Sequence, residues 1–403
     1  MQRLPVPERP YADPWLLPLA ERLQRLQAGA RRVAYYYEAP NNSTFRYRAY
    51  NMAQVLNADP ADGVSASWFH RSDLGALDAI VDGADLLVVC RSGYESALAH
   101  LIGRMRRRGR PVLFDVDDLV FDTAYTHLVI DTLALDKNDP RVWDDWFGMM
   151  ARMGRTLCEC DGAITTNDFL AERIRDLSGR PVAVVPNFMN AEQLAMSEAV
   201  WTARQAAGFA GDGAPTLGYF SGSPSHRYDF AIVEPALARL LDEQADLNLL
   251  VAGYIEPGPE LARHAGRVRY QPFTDYVNLQ RLVGTVEINL MPLQANSFTD
   301  CKSALKYFEA AAAGTLSVAS PSANYAAVIR HGDNGWIARA HEWARMLGEV
   351  LQAVVRQPAR YGDHAARARA DALARFGWTT QRPAILRALG LARAAAPVAP
   401  AAD

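Results

Sequence analysis

The chain has 403 residues, half of them hydrophobic, and its 42 basic and 45 acidic residues leave a net charge of −3. That length suits two or three domains, and the near-neutral balance removes the electrostatic case for nucleic-acid binding. No apolar run is long enough to cross a membrane, the first residues lack the pattern of a secretory signal, and four scattered cysteines make no disulfide framework, so a reducing cytoplasm is expected.

Residues 1–30 read as an amphipathic helical lead-in, with Leu16, Leu17, Leu19, Leu23 and Leu26 mostly on one face. Short apolar runs then alternate with helical patterns. Strands are expected at 32–37, 84–90, 111–115, 162–166 and 182–185, with helices at 48–56, 94–108 and 168–177 between them. A flexible seam over 195–214, rich in Gly and Ala toward its end, divides the chain. The pattern restarts with strands at 215–220, 248–252, 268–270, 286–291 and 316–320 and a helix at 230–243, and the Ala/Pro-rich tail reads as disordered. Nearly continuous apolar strands separated by helices indicate two doubly wound α/β domains, 31–205 and 206–375. The default ligand site is the cleft at the carboxyl ends of their strands.

Only three of the 42 basic residues are lysines: Lys137, Lys302 and Lys306. Two of them fall in one strand–loop–helix segment, whose helix is expected to open at 300–303 and to end at Gly314. A free helix N-terminus presents unpaired amides and a positive dipole end to an anion. On such a helix Lys302, Lys306 and Glu309 share a face, which suits a nucleoside diphosphate, the cations on phosphate and the carboxylate on ribose. A solvated ion pair is the alternative.

Leu290-Met291-Pro292 through Glu309-Ala310-Ala311-Ala312-Ala313-Gly314 resembles the donor-binding segment of GT-B glycosyltransferases, family 4 in particular, and of bacterial surface-polysaccharide transferases with Lys-Ser-x-x-Lys-Tyr-x-Glu. The resemblance implies a GT-B fold of two Rossmann-like domains facing a central cleft. By the same resemblance the donor is expected against Gly222, Ser223, Arg227, Lys302, Ser303, Ala304, Lys306 and Glu309, with Arg227 and Lys302 catalytic. The pattern departs at Cys301, where the family has its first glutamate, and Asp300 is the nearest acid. Val184-Val185-Pro186-Asn187-Phe188 resembles the turn ending the first domain, and Phe376-Gly377-Trp378 the segment (376–391) that crosses back before the tail, 392–403. The implied partners are a nucleotide-sugar donor and a glycan or lipid-linked glycan acceptor, with no cofactor and no metal, in the cytoplasm or peripherally at the inner face of the membrane.

The most acidic motif, Asp115-Val116-Asp117-Asp118, follows an apolar strand. It admits two readings: a magnesium-dependent phosphohydrolase of the haloacid-dehalogenase type using Asp115 and Asp117, or, by the resemblance, a cleft where Asp117 and Asp118 meet the acceptor and stabilise developing positive charge. A capping role is the plainer alternative for any one of the three. In Asn41–Arg48 the candidates for the acceptor side are Arg46 and Arg48, with Asn187 from the first-domain turn. The basic run Arg104–Arg110 suits contact with anionic lipid or a solvated helix end. A non-catalytic nucleotide-sugar-binding relative is the third class, kept open by Cys301.

Overall fold

A computed structural model describes residues 4–211, 214–223 and 226–392. The disordered-tail expectation from residue 393 on, and positions 212–213 of the seam, lie outside them.

Two all-parallel sheets of six strands form the frame. The first contains β1 (Arg31–Tyr37), β2 (Val64–His70), β3 (Leu86–Cys90), β4 (Val112–Val116), β5 (Gly162–Thr165) and β6 (Val182–Val184), in the order β2-β1-β3-β4-β5-β6. The second contains β7 (Thr216–Ser221), β8 (Asn248–Gly253), β9 (Val268–Gln271), β10 (Ile288–Met291), β11 (Leu316–Ala319) and β12 (Trp336–Ile337), in the order β12-β11-β10-β7-β8-β9. Central strands such as β3 and β7 are buried along their whole length, as strands covered by helices on both faces must be.

The lead-in is not one helix. Pro5, Pro7, Pro10, Pro14 and Pro18 remove amide donors and fix φ, so a helix forms only after the last of them, over Leu19–Leu26. Before it the chain bridges the two domains. Arg9 exchanges two hydrogen bonds with the Asn278 side chain (2.9 and 3.0 Å), and Trp15 stacks on Tyr276 at 6.0 Å. Leu16, expected on the packed face, is 70% exposed.

The seam also differs from a loop: Ala191–Ala206 is a helix, opened by an Asn190–Gln193 capping box. The last helix, Trp378–Ala388, packs on the first-sheet half, where Ile385 joins the cluster of Val33, Trp68 and Val88.

Candidate active site between the two sheets

Each sheet reverses its winding direction at one place. β1 lies between β2 and β3, and β7 lies between β8 and β10. A crevice opens beyond the carboxyl ends of the strands at such a point. The two crevices face each other and enclose a cavity of about 390 Å³.

On the second-sheet wall, Gly222, Ser223 and His226 follow β7, Gly253 ends β8, and Lys302, Lys306 and Glu309 follow β10. The expected single helix is broken. A short helix, Ser297–Asp300, is followed by a turn carrying Lys302, and a second helix begins at Leu305 and ends at Ala312. The interface causes the break: Phe298 and Cys301 are packed into the first-domain core, and the Cys301 carbonyl accepts from Asn167 Nδ2 at 2.9 Å. Lys302 therefore shares no helical face with Lys306 and Glu309, yet all three line the cavity. Gly314 (φ +77°) closes the second helix as a left-handed cap.

Lys302 Nζ lies 4.5 Å from the Phe298 ring centroid and 3.6 Å from Asp118 Oδ1, across the cleft. Lys306 Nζ sits 4.9 Å from the Tyr219 ring. Burial pulls its ammonium down to about 8, helped by the charge of Lys302 and opposed by Asp229. The helix that carries it has no side-chain cap, so its first amides are open to an anion.

Two donor-side expectations change. Arg227 is exposed at the start of the helix Arg227–Glu243 and stays outside the cavity, whereas His226 lines it. His226 Nδ1 meets Asp229 Oδ2 at 2.8 Å, and burial, reinforced by Lys306, holds the ring down at about 4, hence neutral at pH 7. Ser303 and Ala304 also fall outside the lining. Ser303 Oγ instead accepts from Asn187 Nδ2 at 3.1 Å.

On the first-sheet wall, Asn42, Ser43, Thr44 and Arg46 follow β1, Arg91 follows β3, and Asp117 and Asp118 follow β4. Asp117 accepts from Thr44 Oγ1 (3.1 Å) and from Arg91 Nη1 (3.3 Å), and the same Nη1 lies 3.7 Å from Asp118 Oδ2. Asp118 Oδ1 is buried without a hydrogen bond. Arg46 is sandwiched between the Tyr47 and Tyr276 rings at 4.0 and 4.4 Å, and its Nη1 has no hydrogen-bond partner. Glu309 is drawn to this wall: its Oε1 accepts from Tyr47 O–H (2.5 Å) and Gln193 Nε2 (2.9 Å).

Arg48, Asn187 and Asp115 are not cavity residues. Arg48 is fully buried and forks onto both Asp115 oxygens at 2.6 and 3.0 Å, while its Nη1 donates to Val185 O and Asn187 Oδ1. The reason is local: a π-turn over Arg46–Tyr50 points Arg46 into the cleft and Arg48 into the core. A nucleophile needs access, so the buried, doubly engaged Asp115 overturns the phosphohydrolase reading. Burial raises its carboxyl to about 6 against the pull of Arg48, so it remains charged at neutral pH.

Asp300 does not replace the absent glutamate, because its Oδ1 accepts from Ala323 N at 2.8 Å, away from the cavity. The lining carboxylates are Asp117, Asp118 and Glu309. Among the described residues no cluster of three or more His, Cys, Asp or Glu is placed to hold a metal ion. Arg91, Tyr47 and His226 were absent from the sequence-derived set. Arg91 carries one detectable signal, its position directly after a strand, and its φ of +35° is unusual for a non-glycine residue.

Residues 215–355 match the family described as Glycosyl transferases group 1. No curated protein matches the chain. Among solved structures, Anabaena HepE in complex with UDP and glucose is 14% identical with a TM-score of 0.57, covering 89% of this chain and 99% of that one. A glycosyltransferase from Rickettsia africae is 12% identical with a TM-score of 0.59, covering 88% and 96%. WaaG, a glycosyltransferase involved in lipopolysaccharide biosynthesis, is 15% identical with a TM-score of 0.55, covering 89% and 100%. At such identities the likeness is one of fold. The chain thus carries the two-domain GT-B fold, and residues 215–355 within it match the group 1 glycosyl transferase family.

Proposed function

We propose that the protein transfers a glycosyl group from a nucleoside-diphosphate sugar to a hydroxyl of a bacterial surface glycan or its lipid-linked precursor. The observation that carries this reading is the placement of Lys302 and Lys306 opposite Asp117 and Asp118, at the paired switch points of the two sheets. The diphosphate lies against the two ammonium groups, the Gly222–Ser223 turn and the open amides near Leu305. As the bond from the anomeric carbon to phosphate breaks, negative charge grows on the leaving oxygens, and nearby fixed cations stabilise it. The anomeric carbon, now cationic in character, lies toward the acidic pair. The acceptor oxygen bonds to the anomeric carbon on the face that the phosphate leaves, so configuration is retained, and its proton passes to the departing phosphate. Arg91 pairs with both aspartates and holds them in place. The lysines supply the charge needed at the diphosphate, so transfer proceeds without a metal ion.

HepE was solved with UDP and glucose, and WaaG acts in lipopolysaccharide biosynthesis, which makes UDP-sugars the first donors to try. The basic run gives little support to a membrane footing: Arg104, Arg106 and Arg108 pair with Asp78, Glu159 and Asp82. No helix among the described residues is long and apolar enough to cross a membrane.

The test is a thermal-shift panel of UDP, GDP, dTDP and their sugars with and without EDTA, followed by an assay of slow donor hydrolysis. Stabilisation by one nucleotide regardless of EDTA, with hydrolysis lost in Lys302→Ala, is expected. No stabilisation by any nucleotide refutes the reading, and binding without hydrolysis favours the non-catalytic relative that Cys301 suggests.

A further inference from the structure

The first-sheet side of the cavity has a second character beside its charges. Next to the acidic pair, Val120, Val129, Leu133 and Trp146 line the space, joined from the other domain by Phe298. Four of the five carry no polar side-chain atom, so this lobe cannot satisfy the hydroxyls of a sugar. The lobe is also not needed for the nucleotide, since the second-sheet wall has its own uncharged surface at Gly253, Pro272 and Phe273. It is built by Thr126–Thr132 and Pro140–Glu159, the helices that follow β4, and is backed by the first-domain core through Val129 and Met150.

The long helix continues this surface outward. Trp143, Trp146, Phe147 and Met150 follow a three- and four-residue spacing, so they form one stripe. The stripe runs from Phe147, 41% exposed, past Trp146 at the cavity to Met150 in the core. Trp143 and Phe147 pack together with ring centroids 5.9 Å apart. An apolar track therefore connects solvent to the charged centre where transfer is proposed, and it has a polar end and an apolar end.

We infer that the acceptor is an amphiphile, a hydroxyl-bearing head group attached directly to a hydrocarbon chain. The head group lies at Asp117 and Asp118, and the first carbons of the chain lie along Val129, Leu133 and Trp146 toward Phe147. This rests on the transferase reading for the direction of the head group, while the apolar lobe itself is independent of it. Each methylene buried raises affinity about fourfold, so chain length translates steeply into binding.

The probes are n-octyl β-D-glucoside, kept below its micelle concentration, and methyl β-D-glucoside, titrated calorimetrically into the full-length protein with and without saturating UDP. The octyl glycoside is expected to bind at least tenfold more tightly. Trp146→Ala and Leu133→Ser, both at partly buried positions, are each expected to reduce that ratio below threefold while UDP affinity stays unchanged, which also shows that the variants are folded. Equal binding of the two glycosides, or a ratio that survives both substitutions, overturns the inference. Failure of UDP to bind would count against the transferase reading alone, because the octyl-to-methyl ratio measured without UDP still reads the lobe.

Discussion

Raising the pH should remove nucleotide affinity through Lys306. In the ligand-free protein its ammonium titrates near 8, chiefly because burial disfavours the charge. A diphosphate beside it favours the charged form, so binding above pH 8 must take up a proton. With a value of about 8, roughly nine-tenths of the protein carries the charge at pH 7 and about 3% at pH 9.5. If only the charged form binds well, UDP affinity falls about 30-fold over that range, or about 2 kcal/mol. Phosphate ionisation does not compensate, since the second phosphate pKa is about 6 and the ligand is already about nine-tenths ionised at pH 7.

Linkage gives a second reading with the opposite sign in the free protein. The folded-state value lies below the unfolded value of 10.5, so between about pH 8 and 10.5 the unfolded chain holds more protons. Ligand-free stability from this group therefore rises with pH while UDP-induced stabilisation shrinks. The assay is calorimetric titration of UDP at pH 7.0, 8.0 and 9.5 in two buffers of different ionisation enthalpy, which counts the proton taken up. Lys306→Arg, which stays charged at every pH used, should flatten the profile. A loss of affinity under threefold, no proton uptake at pH 9.5, or an unchanged profile in Lys306→Met would show that Lys306 does not face the phosphates.

Lys302→Ala removes the cation nearest Asp118 and is expected to lower turnover about 10²- to 10³-fold, as loss of one transition-state donor does, with an unchanged melting temperature. Arg48→Met leaves the Asp115 charge buried and unpaired, so the first domain should lose about 3–5 kcal/mol, read as a shift in urea midpoint. Asp115→Asn in the same background should recover part of it. Gly253 has φ +105°, and a Cβ there would sit 1.9 Å from the Ser221 carbonyl oxygen, so Gly253→Ala must displace the turn after β7. Its expected result is weaker UDP binding together with a lower melting temperature, and normal binding would show that the turn does not hold the donor.

What could be read from the sequence depended on how each half of the site is assembled. The donor half comes largely from one contiguous stretch, β10 to Gly314, in which two of only three lysines stand out against a background of arginine. A local pattern could find it. The break between Asp300 and Leu305 could not be found in this way, because Phe298 and Cys301 are anchored in the core of the other domain. The same limit applies to β2, an edge strand whose Val64-Ser65-Ala66-Ser67 start alternates but is built of small residues with little apolar bulk, and whose place is set by pairing with β1.

The acceptor half is gathered from the ends of β1, β3 and β4, which contribute short runs or single residues of ordinary type. Arg91 is one arginine among many, and its place directly after a strand is the single mark it carries in the sequence. Its importance is positional: it leaves the strand flanking the switch point, with a left-handed φ that turns its guanidinium onto Asp117 and Asp118. Arg46 and Arg48 make the same point in a pair, since two residues of identical type and adjacent place are sent to opposite fates by one π-turn. A charge chosen for its chemistry leaves a mark on composition, as the lysines do. A charge chosen for its location becomes visible only once strand order fixes where the crevice opens.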